Sequence, residues 1–268
     1  MEVVVITGIG GMGMAVARRL GAGRQLVLAD FDATRLEAVA ATLRGEGFAV
    51  QTQKVDVSDA ASVAQLAEAA AKAGSLRTVV HTAGLSPTMA SAERLLAVDL
   101  AGTIHMLDAF LPYVQPGTVG VFIASMAGSL TPLPVDMEKI LATTPSAGLG
   151  ELTKTLLENP DPGVAYSIAK RGNQLRVQAA APAWGKRGGR VVSISPGIIS
   201  TPMGQQELKS QPMMGHMISI TPVNRVGTAE DIAATVDWLA SPAAGFITGS
   251  DILVDGGVVS AVRWGATG

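Results

Sequence analysis

Three side chains spread along this chain have the types needed for acid–base chemistry on an alcohol or a carbonyl: Ser125, Tyr166 and Lys170. In Tyr166-Ser167-Ile168-Ala169-Lys170 the phenol and the ammonium are four residues apart, which places them on one face of a helix. A free tyrosine has a pKa of ~10, too high for a base at neutral pH. A cation ~4 Å away at an effective dielectric of ~20 contributes about 4 kcal/mol. That equals about three pKa units, so the expectation is a phenol brought near neutrality by Lys170 and able to take or give a proton. Ser125 is then the group to hydrogen-bond the substrate oxygen as charge develops there. Taken alone, Tyr-x-x-x-Lys is a common helix-surface pair; its setting gives it chemical meaning.

That setting begins at the N-terminus, where Val3-Val4-Val5-Ile6 runs into Thr7-Gly8-Ile9-Gly10-Gly11-Met12-Gly13 and then a helical pattern. Gly8, Gly10 and Gly13 spell G-x-G-x-x-G in the strand–turn–helix context that the motif requires. Glycine allows the tight turn and close backbone approach to a pyrophosphate, and the helix start supplies free amides and partial positive charge. The second apolar run ends in Ala29-Asp30-Phe31, with Asp30 22 residues after Gly8. A carboxylate there accepts from adenosine ribose hydroxyls and repels a 2′-phosphate, which carries roughly −1.5 to −2 charges. No Lys or Arg sits inside the glycine loop or immediately after Asp30 to neutralise such a phosphate. Arg35, five residues on, has room to point away on the next helix, so the expected cofactor is NAD rather than NADP. A bland glycine turn and a solvated strand-end Asp are the competing readings.

Positioning these groups requires an open α/β sheet. Short β-branched runs (3–6, 25–29, 49–55, 77–81, 119–124, 190–194, 252–254) alternate with helical patterns near 12–20, 33–44, 59–73, 91–111, 164–184 and 228–240. The predicted fold is α/β: a Rossmann-type, doubly wound, seven-stranded parallel sheet with helices on both faces. Ser58 or Asp59 is the expected cap of the third helix. Two stretches break the rhythm: the Pro-rich 130–162, a small helical insertion with patterns near 135–142 and 149–158, and the Met-rich, irregular 203–222. Both leave the carboxyl ends of strands, where ligands of such sheets bind. Without repeats or linker-like shifts, residues 1–268 read as one domain.

Composition narrows the class. At 268 residues roughly three quarters of the unfolded surface can be buried. Cysteine is absent, so neither disulfides nor thiol chemistry enter. A formal charge of −2 provides no basic field for nucleic acid and no polybasic membrane patch. No uninterrupted apolar run approaches the ~20 residues of a membrane span, and Met1-Glu2 leads straight into the first strand without a signal-peptide pattern. The expectation is a cytoplasmic protein with a small alcohol or carbonyl substrate, no metal, no nucleic acid and no membrane.

With these motifs in place the chain resembles the short-chain dehydrogenase/reductase family, in the bacterial branch that includes ketoacyl reductases and hydroxysteroid dehydrogenases. The likeness covers the glycine loop, Asp56-Val57, Thr82-Ala83-Gly84, Ser125-Met126-Ala127-Gly128, Tyr166-x-x-x-Lys170, Ser195-Pro196-Gly197-Ile198-Ile199-Ser200-Thr201, Asn224-Arg225-Val226-Gly227, Ile247-Thr248-Gly249 and Val254-Asp255-Gly256-Gly257. The resemblance implies hydride transfer between nicotinamide and an alcohol or carbonyl carbon. It implies that Asp56 and Val57 flank the adenine, that Ile199 and Thr201, beside Pro196 and Gly197, hold the carboxamide, and that Lys170 grips the nicotinamide ribose. It also implies a homotetramer, with the helices at 91–111 and 164–184 forming one interface.

Four departures stand out. The glycine loop is a residue shorter than T-G-x-x-x-G-x-G. The usual N-N-A-G is His81-Thr82-Ala83-Gly84, and His81 reads as a strand-end structural residue. The family asparagine that helps hold a proton-relaying water is Asp99, either a relay member or a helix-kink residue. Ser125 and Tyr166 are 41 residues apart, well beyond the family's usual spacing. The excess is the 130–162 insertion, either a cap over the substrate or a block on one oligomer surface that reduces the assembly to a dimer. Met203, Met213, Met214 and Met217 suggest an apolar pocket for a bulky, steroid-like or acyl-like substrate, or ordinary core packing. The main alternative to an active enzyme is a non-catalytic dinucleotide-sensing protein. Sugar-nucleotide epimerisation is a third, for which no longer substrate domain follows Gly257.

Overall fold

The computed structural model describes residues 1–158, 161–210 and 212–265. Its strands are β1 (Glu2–Thr7), β2 (Gln25–Asp30), β3 (Ala49–Lys54), β4 (Ser75–His81), β5 (Val119–Ile123), β6 (Arg190–Pro196), β7 (Ile199–Ser200), β8 (Gly227–Thr228) and β9 (Asp251–Val254). Seven of them form a parallel sheet in the order β3-β2-β1-β4-β5-β6-β9, while β7 and β8 pair as a separate ladder. The order reverses between β1 and β4, the switch point at which such sheets open a crevice.

The helices are α1 (Gly11–Leu20), α2 (Ala33–Gly45), α3 (Ala60–Ala73), α4 (Ala92–Leu95), α5 (Gly102–Phe110), α6 (Met126–Ser129), α7 (Val135–Thr143), α8 (Leu149–Leu156), α9 (Pro162–Gly185), α10 (Pro202–Ser210), α11 (Pro212–Ser219), α12 (Ala229–Ala240) and α13 (Val258–Trp264). Asp59 caps α3. Along β1 successive side chains face opposite layers: Val4 and Ile6 pack with Val16 of α1 and Ile232 and Val236 of α12. Val3 and Val5 pack with Leu66 of α3, Phe110 of α5 and Trp184 of α9. This two-sided burial is why the strands are apolar throughout.

Between α4 and α5 the chain continues as a π-helical segment, Leu96–Ala101. The whole run Ala92–Tyr113 is long and apolar enough to cross a membrane by length and composition, yet 61% of its apolar window is buried inside the fold. It is a core helix. The insertion supplies α7 and α8, whose Leu141, Leu149, Leu152 and Leu156 pack on Leu96, Leu100 and Ile104 and on Ala165, Ala169 and Leu175 of α9. It therefore covers the outer face of this helix pair. The 203–222 stretch is not irregular, as expected, but two helices; Pro202 fits a first helical position. Met214, Met217, Ile218 and Ile220 pack there against Met126, Ile198, Val258 and Val259.

Candidate active site

The glycine turn is fixed by geometry that only glycine satisfies. Gly8 has φ +82°, and a Cβ there would lie 2.4 Å from Ala83 N; a Cβ on Gly13 would lie 2.1 Å from Gly8 O. Thr82 Oγ1, at the end of β4, donates toward Thr7 O (3.0 Å) and Gly8 O (2.6 Å), tying the turn to the neighbouring crossover. A Cβ on Gly10 would meet nothing within 4 Å, and α1 begins without a side-chain cap. Open backbone and free amides on the cleft side are what a pyrophosphate takes.

The cleft, about 810 Å³, is lined by Gly8, Gly10, Gly11, Met12, Gly13, Asp30, Phe31, Asp56, Val57, Thr82, Ala83, Gly84 and Thr201 among the expected cofactor residues. Its size suits a dinucleotide-scale ligand. Pro196, Gly197 and Ile199, at and just after the end of β6 and on β7, and Tyr166 and Lys170 on α9 lie outside its lining.

Asp30 is buried at the end of β2 and already engaged. Oδ2 accepts from Ile9 N at 2.7 Å, while Oδ1 accepts from Asp32 N at 2.9 Å and from Arg35 Nη2 at 2.7 Å. The expectation that Arg35 points away is therefore overturned. Asp32 caps α2 through the amides of Thr34 and Arg35, so the helix starts at the strand end and its first turn faces Asp30. Further cations stand nearby: Lys54 Nζ lies 5.6 Å and the Arg94 guanidinium 5.7 Å from the centre of the exposed Phe31 ring. Arg94 also reaches Asp56 Oδ2 at 3.4 Å.

The chemical residues meet where the cleft ends at Gly84 and Leu85. Ser125 caps α6, its Oγ accepting from Ala127 N at 3.2 Å, and it hydrogen-bonds the Tyr166 phenol. Asp161 and Pro162 start α9 as cap and first residue, which sets the helical phase that brings Tyr166 and Lys170 to one side. Lys170 Nζ lies 5.4 Å from the Tyr166 ring centre and 3.2 Å from Asp99 Oδ1.

Lys170 alone does not lower the phenol below its ordinary value. Burial pushes it above its ordinary value, outweighing the downward pull of Lys170 and of Ser125, while Asp99 and Glu207 push further upward. Lys170 itself is raised: burial opposes its charge, but Asp99, Tyr166 and Glu207 together more than offset this. His81 is structural, as expected. Its Nδ1 pairs with Thr7 Oγ1 at 2.7 Å, its ring tilts against Phe122, and burial lowers its pKa to about 3.

Sequence reading missed Arg94 and Glu207 and misjudged Arg35. Glu207, on α10, is raised by burial while Ser86 and Lys170 draw it back. The only advance signal was for Arg35, third in a helix that Asp32 can cap.

Comparison with known proteins agrees with this fold. The profile described as short chain dehydrogenase matches residues 2–136, and that described as Enoyl-(Acyl carrier protein) reductase matches 152–259. The chain is 37% identical to the short-chain dehydrogenase/reductase bsc3 of Alternaria brassicicola, over 96% of this chain and 95% of that protein. It is 32% identical to D-threitol dehydrogenase of Mycolicibacterium smegmatis, over 96% and 92%. The solved structure of levodione reductase superposes with a TM-score of 0.78 at 26% identity, covering 97% of this chain and 98% of that one. The chain belongs to the short-chain dehydrogenase/reductase family and is an oxidoreductase of CH–OH and C=O groups.

Proposed function

We propose that the protein uses NAD to interconvert a secondary alcohol and its ketone, with Tyr166 moving the proton and Ser125 holding the reacting oxygen. Lys170 orients the phenol and the nicotinamide ribose. The observation that carries this reading is the meeting of Ser125, Tyr166 and Lys170, with the Lys170 ammonium beside Gly84, which lines the same cleft as Gly8 and Gly10. Nicotinamide, when bound, supplies or accepts the hydride. A dinucleotide sensor without catalysis has no need of all three side chains, so it is not favoured.

The preference for NAD rests on Asp30. An ionised carboxylate has about four acceptor sites; Ile9 N, Asp32 N and Arg35 use three, which leaves room for a ribose hydroxyl. A 2′-phosphate would have to capture Arg35 from that pair. The cations Lys54 and Arg94 at the same rim favour NADP as the second reading.

For the substrate, a bulky apolar ketone remains the reading, on a narrower basis. Met214 and Met217 pack into the cluster beneath α11, Met213 is exposed and Met203 lines the cofactor cleft. The chain acts as one unit over 1–268, in the cytoplasm. It assembles as a homodimer rather than a tetramer, because α7 and α8 occupy the outer face of the helix pair that would form the second interface.

Calorimetry with each dinucleotide, then turnover of a ketone panel followed by dihydronicotinamide absorbance, tests the reading. NADH-dependent loss of absorbance with cyclic or steroid ketones is expected. No heat with either dinucleotide would end it, and turnover confined to small polar substrates would end the substrate class. Light scattering decides the assembly.

A further inference from the structure

Lys170 and Asp99 form a closed ion pair. Nζ and Oδ1 are 3.2 Å apart, with side-chain exposures of 6% and 0%. Asp99 Oδ1 also accepts from Leu85 N at 3.0 Å, while Oδ2 is buried without a partner among the described residues. Gly84 forms the adjoining wall: a Cβ there would lie 2.6 Å from Oδ1 and 3.2 Å from Nζ. Asp99 reaches this place from the π-helical segment, where Thr103 Oγ1 donates to its carbonyl at 2.9 Å. A lone ammonium buried so deeply is costly; the carboxylate 3.2 Å away gives it a counter-charge, and although burial pushes Asp99 above its ordinary value, Lys170 and the Leu85 amide draw it back. At Tyr166 the fields of the two partners oppose each other.

We propose that Asp99 is the counter-ion of Lys170 and thereby keeps the Tyr166 phenol protonated at neutral pH, poising the site to reduce carbonyls and leaving alcohol oxidation to alkaline pH. The proposal rests on the reading of Tyr166 as the acid–base group. In the reducing direction a bound dihydronicotinamide would supply the hydride to the carbonyl carbon as the C=O π bond opens. The phenolic O–H breaks, its proton passes to the carbonyl oxygen, and solvent reprotonates the phenolate.

The other groups around the pair do not reverse this balance. Glu207 on α10 acts at both Tyr166 and Lys170 in the same sense as Asp99. His81 on β4 is neutral above about pH 3. Ser125 on α6 pulls the phenol the other way but carries no charge. Arg171, next on α9, is bound to Glu138 Oε1 at 2.8 Å. Asp99 is thus a positioning residue acting through Lys170.

The chain has two tyrosines, so Tyr113→Phe leaves Tyr166 as the sole phenol. Titrating phenolate absorbance in that background, without cofactor, should give a midpoint above the ~10 of free tyrosine. Adding Asp99→Asn should lower the midpoint by about one unit or more, and the acid limb of alcohol oxidation should move down with it. Asp99→Ser repeats the measurement if the amide does not fold. A Tyr166 midpoint near neutrality in the Tyr113→Phe protein overturns the proposal without any change at Asp99. So does an unmoved midpoint in a folded Asp99 variant that still turns over. A shifted midpoint in a protein that turns over no carbonyl would keep the ion pair and sink the catalytic reading instead.

Discussion

Tyr166 is surrounded by more than its lysine. Lys170 supplies the pull that the four-residue spacing promised, but burial and two carboxylates act against it. The phenol remains the proton carrier, and Tyr166→Phe should lower kcat by about 10²–10⁴-fold with dinucleotide affinity nearly unchanged, checked by steady-state rates beside calorimetry. Equal losses in kcat and in cofactor affinity would place Tyr166 in binding only. At the other end of the cleft, Asp30 holds the glycine turn through Ile9 N and restrains Arg35. Asp30→Ser should weaken NAD and free Arg35 for a phosphate, raising the NADP-to-NAD affinity ratio about tenfold or more. An unchanged ratio by calorimetry would show that Asp30 does not select the cofactor.

The elements show which parts of this site the chain announces in advance. The β-branched runs that stop at Thr7, Asp30 and His81 marked the strand ends, because burial on both faces leaves no polar alternation to confuse them. Tyr166 and Lys170 were legible because a helix phase is local. The Lys170–Asp99 pair joins positions 71 residues apart through a π-helical segment that no spacing rule reveals. Arg35 was misjudged because its direction depends on where Asp32 starts the helix. The 203–222 helices were hidden by methionine, glycine and proline interrupting the apolar period. The insertion, legible as two short helices, is anchored by the fully buried Leu141. Leu141→Ala should cost about 2–5 kcal/mol, seen as a lower urea midpoint. A loss under about 0.5 kcal/mol would mean that α7 packs only loosely on α9.

Across the molecule, His81 couples the sheet to pH. Its pKa in the fold is about 3 against an ordinary 6.5, so between those values the unfolded chain binds a proton that the folded chain does not. Stability contributed by this site is intact above about pH 6.5 and is lost as pH falls towards about 3. The slope is on the order of 1 kcal/mol per pH unit. His81→Gln, which keeps a polar end for Thr7 Oγ1, should flatten that decline in chemical-denaturation midpoints taken across the window. An identical slope in the variant would assign the acid sensitivity to the carboxylates. The Thr82 hydroxyl, bonded to both Thr7 O and Gly8 O, has a thermodynamic corollary. The loop that receives the dinucleotide is already in its working shape, so little chain entropy is lost on arrival. Association should then proceed in one kinetic phase, with a heat-capacity change no larger than the covered apolar surface requires.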